Sequence, residues 1–355
     1  MPIDIVVDAM GSDKAPEPEV RGAILAARQF DVRVHLVGPE DILRPLLRQH
    51  LRGHKLPVFI VPASEWITMS DKAAQAVRTK RDSTMRVGLK MVREGLSSAH
   101  RSDGRSELGK AAGFFTAGNT GAAMATAKMV LGTLTGIDRP ALVTVAPTTA
   151  GTASLLLDAG ANVDCNPNNL VQFAVMGSVY AKNVLRISNP RVGLLSVGEE
   201  DSKGNALTRE TLPMLRAFEG INFIGNVEGR DIFNGHCDVI VCDGFAGNVA
   251  LKSCEGMVRL VSHTLREALR STVTSQVGAL LSRRAFSDFK KRLDYTEYGG
   301  APLLGVRGVA SIGHGSSNEK AIMNGIRVTA EFAQADVNAG IEAALQAAPV
   351  PALKA

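Results

Sequence analysis

Four times along this chain a strand-like apolar run ends in a glycine-bearing turn and passes straight into a helical pattern. The stretches are IVVDAMGSD (5–13), FFTAGNTGAAMA (114–125), VIVCDGFAGNVA (239–250) and VASIGHGSSNEK (309–320). A strand feeding a helix through a tight turn is the unit of a parallel sheet, so the layout confines the chain to the α/β class. It also leaves backbone N–H groups unsatisfied at each helix start, and these attract anions. Several such turns at the carboxyl ends of strands are expected to converge on one anionic ligand.

The remaining apolar runs extend the same grammar. Strands are predicted at 3–7, 33–37, 57–61, 112–116, 141–146, 153–157, 191–197, 221–226, 238–242 and 308–312. Helices fall at 18–29, 40–49, 71–79 and 84–95, and between most later strands. The expected architecture is a largely parallel sheet flanked by helices, as one α/β catalytic domain over 1–345. Residues 97–111 are polar and aperiodic and read as a solvated loop; 346–355, with Pro349 and Pro351, read as a frayed tail.

Residues 249–295 break the pattern and predict a projecting helical hairpin. Cys254, Met257, Val258, Val261, Leu265 and Ala268 form one stripe, which suits either packing on the body or a homodimer contact. A less regular tip follows. Val273, Val277, Leu280 and Leu281 lie there beside arginines, a composition suited to shallow insertion into an anionic membrane surface. A second helix with Arg283, Arg284, Lys290, Lys291 and Arg292 closes the hairpin.

With 45% hydrophobic but only 5% aromatic residues, the core rests on aliphatic side chains. No run approaches the ~18 apolar residues of a membrane span. The start leads straight into strand-like Ile3–Val7 without a leader pattern, so a cytoplasmic location is expected. Cys165, Cys237, Cys242 and Cys254 show neither CxxC pairing nor metal spacing and read as reduced thiols, with Cys242 the best placed for catalysis. The net charge of +5 suits an acidic partner, an anionic substrate or an anionic surface. Its basic residues are scattered and rarely interleaved with aromatics, which disfavours nucleic acid.

The turns carry the candidate chemistry. Asp8 and Gly11 lie at the first; Asp8 would orient a ligand or cap the turn. Lys80 and Arg81 precede Asp82 and Ser83, where a helix cap and a phosphate site are both consistent with the residues. Gly118, Asn119, Thr120 and Gly121 open an alanine-rich helix and offer donors to phosphate or a carbonyl oxygen. Asp243, Gly244, Gly247 and Asn248 do the same after the 238–242 strand. His314 sits in a Gly-His-Gly turn as a donor or proton carrier, followed by Gly315. Ser316 and Glu319 fit a capping box. Glu199, Glu200 and Asp201 read as a solvated acidic turn, and no metal or cofactor is expected. GxSxG, Walker, HExxH and strand-linked GxGxxG motifs are missing from the sequence.

Taken together the strings resemble the phosphate acyltransferase (PlsX) family of bacterial phospholipid synthesis. They are VDAMGSDKAP (7–16), MSDKAAQAVRTKRDST (69–84), TAGNTGAAMA (116–125), RPALVTVAPT (139–148) and LLLDAGANVDC (155–165). QFAVMGSVYAK (172–182), EGRDI (228–232), CDGFAGNVALKSCEG (242–256), GGAPLLGVRG (299–308) and IGHGSS (312–317) continue it. The match is collinear from about 3 to 335. Ser12 stands where the AMGGD string usually has its second glycine, and 97–111 resembles an insertion.

The resemblance implies an isopropylmalate dehydrogenase or phosphotransacetylase-like scaffold, a homodimer and peripheral membrane association at the inner face of the cell membrane. It further implies acyl transfer from acyl-acyl carrier protein to inorganic phosphate, giving an acyl phosphate for a downstream membrane glycerol-3-phosphate acyltransferase. Phosphate would lie among Gly118–Gly121, Ser83 and His314–Ser316 with Lys80 as counter-charge, while Asn248 and the Asp243–Gly247 turn orient phosphate or thioester. Competing readings are an acyl-coenzyme A-dependent phosphate acyltransferase, a nicotinamide-dependent dehydrogenase on the same scaffold, and a dimeric scaffold that recruits carrier protein to membranes.

Overall fold

A computed structural model describes residues 2–98, 111–286, 289 and 299–348. The first half of the chain forms β1 (Ile3–Asp8), α1 (Glu17–Gln29), β2 (Val32–Gly38), α2 (Glu40–Leu51) and β3 (Val58–Pro62). It continues through α3 (Ala73–Thr79), α4 (Thr84–Ser98), β4 (Ala111–Thr116) and α5 (Thr120–Leu131). The second half holds β5 (Ala141–Pro147), β6 (Ala153–Leu157), α6 (Pro167–Asn183), β7 (Arg191–Leu195) and α7 (Ala206–Ala217). Next come β8 (Asn222–Val227), α8 (Asp231–Asn234), β9 (Val239–Val241), α9 (Gly244–Arg270) and α10 (Val273–Leu281). The chain then returns to the centre with β10 (Ala301–Leu304), β11 (Ala310–Ile312), α11 (Glu319–Gln334) and α12 (Val337–Ala347).

Among the described residues eleven strands join one sheet, in the order β3-β2-β1-β4-β11-β10-β5-β6-β9-β7-β8. The pairs are parallel except for β11–β10, β10–β5 and β5–β6, which are antiparallel. Three consecutive reversals have a large consequence. β6, β9, β7 and β8 run opposite to β1, β4 and β11, so the carboxyl ends of the two sets lie toward opposite ends of the sheet. β1 is buried on both faces, as its unbroken Ile5–Val7 run requires between two helical layers. One core cluster fills each face of the first half, and a third surrounds α6, fourteen of whose seventeen residues are buried. A helix apolar nearly all round belongs at the centre of a fold.

Several elements differ from the sequence expectation. β10 is not predicted, because APLL is four residues long, contains proline and follows two glycines. The helix after β9 starts at Gly244, because the Asp243 carboxylate accepts the Ala246 N–H at 2.8 Å and caps it there. The hairpin tip is helical rather than irregular, since Thr272 caps α10 by accepting from the Ser275 N–H. Helix α12 continues to Ala347. Most of the 97–111 loop, with Lys290, Lys291 and Arg292 of the second hairpin helix, lies outside the described residues.

Candidate functional site

Because β1, β4 and β11 are adjacent and parallel, their carboxyl-end turns meet. They wall a cleft of about 320 Å³. The β1 turn contributes Asp13, the β4 turn Gly118 and Thr120, the β11 turn Gly313, His314 and Gly315, and the loop before α3 contributes Met69. Lys252 of α9 closes the opposite wall. It lies nine residues beyond Asp243, roughly 13 Å along the helix at 1.5 Å per residue. That climb carries α9 from the far end of the sheet to the cleft, where neighbouring Leu251 packs on the first-half core.

Local hydrogen bonds hold the turns in place. The Asp13 N–H donates to the Gly315 carbonyl at 2.8 Å, tying the β1 and β11 turns together. Gly11 packs against the β4 turn, where a Cβ would stand 2.9 Å from the Gly118 nitrogen. Asn119 caps α5, its Oδ1 accepting the Ala122 N–H at 3.0 Å. Its Nδ2 donates to the Met69 and Asp71 carbonyls. Asn119 thus shapes the wall with both ends of its amide, and Thr120 and Gly121, both exposed, present the first N–H groups of the helix. The Ser316 N–H donates to His314 Nδ1 at 3.2 Å, so a neutral ring carries its proton on Nε2. Ser316 Oγ also lies 2.8 Å from Nδ1. The capping-box expectation gives way here: Asn318 caps α11, accepting from the Ala321 N–H, and Ser316 serves His314.

Other expected site residues stand elsewhere. Asp8 is 1% exposed beneath the β1 turn, accepts from Thr116 Oγ1 at 2.8 Å and from the Met10 N–H, and so shapes the turn from below. Burial pushes its carboxyl up, against the pull of the hydrogen bonds from Thr116 and Met10. Ser83 is buried at the start of α4, and its carbonyl accepts the Val87 N–H. Lys80 is committed to Asp71 at 2.6 Å and to the Trp66 carbonyl at 2.9 Å. The Lys80 contact holds the Asp71 carboxyl below its ordinary range.

The β9 turn does not join the cleft. A Cβ on Gly247 would fall 1.9 Å from the Asp158 carbonyl oxygen, and one on Gly244 would fall 2.6 Å from that of Asn162. These glycines permit backbone packing. Asn248 is exposed beside Gly160 at the same end. The DAGANVD string is equally structural. Asp158 accepts from the N–H groups of Leu142, Gly160, Ala161 and Asn162 and from Asn162 Nδ2.

Burial pushes the Cys242 thiol well up, which removes it as a thiolate nucleophile. Cys165 is pushed up to about 11 and Cys237 to about 12 for the same reason. Glu199 pairs with Arg230 and Asp201 with Arg216 on the surface. Among the described residues no three His, Cys, Asp or Glu side chains group as a metal site. No helix among them is long and apolar enough to cross a membrane.

Lys252, Asp13, Met69 and Gly313 are the cleft residues the sequence reading did not single out. Lys252 carries a usable signal, since it lies four residues after Asn248 on one helical face.

The fold and its relatives agree. A crystal structure of a phosphotransacetylase from Streptococcus pyogenes superposes with a TM-score of 0.59 at 18% identity, covering 94% of each chain. The chain therefore has a phosphotransacetylase-like α/β fold. The family model described as Fatty acid synthesis protein matches residues 3–340. The phosphate acyltransferase of Acidobacterium capsulatum is 67% identical over 340 residues, 96% of either chain. That of Koribacter versatilis is 60% identical over 353 residues, 98% of this chain and 94% of the other. The class is that of the acyltransferases. More narrowly, the chain belongs to the phosphate acyltransferase family of fatty acid synthesis proteins.

Proposed function

We propose that this cleft transfers an acyl group from acyl-acyl carrier protein to inorganic phosphate, releasing acyl phosphate for phospholipid synthesis. The observation that carries the reading is the convergence of three strand-end turns and one lysine on a single cleft. Phosphate sits against the Thr120 and Gly121 N–H groups at the start of α5, with Lys252 as counter-charge and His314 Nε2 as a further donor. Among the described residues Lys252 pairs with Glu255 alone, at 2.9 Å, with the lysine half exposed. Such a pair is worth about 0–1 kcal/mol and exchanges readily for a dianion.

The chemistry needs no enzyme nucleophile. A phosphate oxygen attacks the thioester carbonyl, the C–O bond forms, the C–S bond breaks, and the electron pair leaves on sulfur. A thiolate is a tolerable leaving group because a free thiol has a pKa of about 8.5. What the protein supplies is alignment, worth roughly 7–11 kcal/mol, and donors to the developing oxyanion, about 3–4 kcal/mol for one.

The net charge of +5 supports docking of an acidic carrier protein, which predicts a steep fall of kcat/KM with salt; a flat response would remove that docking mode. Helix α9 buries only Gly244 and Gly247 within its own chain and leaves Met257 and Leu260 each 59% exposed. A homodimer would cover that face, and sedimentation at a monomer's mass would count against it. Val273, Val277, Leu280 and Leu281 are 52–82% exposed and suit an anionic membrane surface. Leu281→Asp should abolish flotation with anionic vesicles; retained flotation removes the tip from that role.

The direct test follows thiol release from palmitoyl-acyl carrier protein with and without phosphate, beside palmitoyl-coenzyme A. Phosphate-dependent release from carrier protein, with labelled acyl phosphate recovered, is expected. Release from coenzyme A alone would replace the donor, and no release from either would defeat the reading.

A further inference from the structure

One buried carboxylate stands behind the cleft with no part in the chemistry just described. Glu19, on the first turns of α1, is 0% exposed, and its Oε1 accepts the Ser12 N–H at 2.8 Å. Its Oε2 is buried with no hydrogen-bond partner among the described residues. Ser12 lies in the turn that follows β1. The next residue, Asp13, lines the cleft and bonds the Gly315 carbonyl beside His314. The turn is therefore gripped at two successive amides, one by Glu19 and one by the β11 turn.

We propose that Glu19 is a positioning residue for the phosphate cleft, setting through the Ser12 amide the turn of residues 10–13 that forms one wall. The proposal rests on the cleft being the phosphate site. Burial pushes the Glu19 carboxyl up to about 7, against the Ser12 contact and reinforced by the charge of Asp8 at the end of β1. The charged groups that neighbouring elements bring to α1 are Glu319 of α11, paired with Arg21, and the half-buried His50 of α2, paired with Glu17. Asp13 and Lys14 of the turn itself face solvent. An ionised Glu19 places negative charge behind an anion site, so its protonation and phosphate binding favour one another, reciprocally.

The test measures kcat and the phosphate KM of the full-length wild type, Glu19→Ala and Glu19→Gln from acid to alkaline pH. Glu19→Ala, lacking the acceptor, should raise the phosphate KM roughly tenfold while the acyl-donor KM holds. Glu19→Gln keeps an oxygen for the Ser12 N–H and should restore the phosphate KM. The wild type should lose phosphate affinity relative to Glu19→Gln as pH rises through about 7. His314 and Asp13 are common to both proteins and cancel in that comparison. A folded Glu19→Ala with wild-type phosphate KM overturns the proposal, and so do superposable wild-type and Glu19→Gln profiles. The latter comparison decides alone if Glu19→Ala fails to fold. Amide exchange of residues 9–16 without phosphate should differ between wild type and Glu19→Gln only above neutral pH. That readout stands even if turnover proves independent of phosphate, a result that would defeat the cleft reading and not the hold on the turn.

Discussion

The turns after β1, β4 and β11 and the loops after β6 and β9 are written in similar residues, glycine beside aspartate, asparagine or histidine before a helix. In the first set the glycines bring turns together around a cleft, and polar side chains such as Thr120 and His314 face it. In the second set Gly244 and Gly247 let α9 press onto the 158–162 backbone, and Asp158 absorbs five donors in sealing that loop. The same grammar therefore lines an open cleft at one end of the sheet and serves close packing at the other. What separates the two is strand direction, reversed across β10, β5 and β6.

The sharpest break of this comparison is a pair of glycine substitutions. Gly247→Ala forces a Cβ to 1.9 Å from the Asp158 carbonyl and should cost more than about 4 kcal/mol in denaturant unfolding. Gly121→Ala meets Ala73 Cβ at 3.4 Å and Asn119 Oδ1 at 3.6 Å, both ordinary contacts, and should hold or gain up to about 1 kcal/mol. Equal losses from both would erase the distinction.

Asp158→Asn turns an amide group toward N–H donors and should cost about 3 kcal/mol, again by denaturant unfolding, with phosphate KM unchanged in the folded fraction. A changed KM would place the DAGANVD loop in the site.

Glu19 gives a smaller, pH-dependent effect. Its carboxyl rises from an ordinary 4.5 to about 7 in the folded chain, so between those values the folded state holds a proton the unfolded chain has lost. The stability tied to it is complete below about 4.5 and is lost as pH rises through about 7. Glu19→Gln cannot ionise and should be more stable than wild type well above pH 7, by on the order of 2–3 kcal/mol. Melting curves that stay parallel across that range would contradict the burial argument.

Much of this was legible in the residues. Periodicity placed β1, α1, β2, α2, β4 and β6 within a few positions, because their apolar runs are long and bounded by glycine, proline or polar turns. The Gly118–Gly121 and His314–Gly315 turns were legible as site candidates for the same reason. Strand direction was not, because it depends on β10, four residues whose pairing is tertiary. Without it Asp243–Gly247 could not be separated from Gly118–Gly121. Asp8 and Ser83 look like ligand groups in sequence, and only their burial shows them turned inward. Lys80 looks like a free cation until Asp71, nine residues away, is seen to hold it. Lys252 escaped notice because its only mark in sequence is the four-residue spacing from Asn248, while its reach to the cleft follows from the length of α9.

That lysine also offers the most direct test of the account. Phosphate KM would be measured for Lys252→Ala and wild type with the same acyl donor, alongside a melting curve. The account predicts a rise of about tenfold or more in phosphate KM, with the melting temperature and acyl-donor KM essentially held. A folded Lys252→Ala with wild-type phosphate KM would contradict the claim that the β1, β4 and β11 turns and α9 together hold the anion.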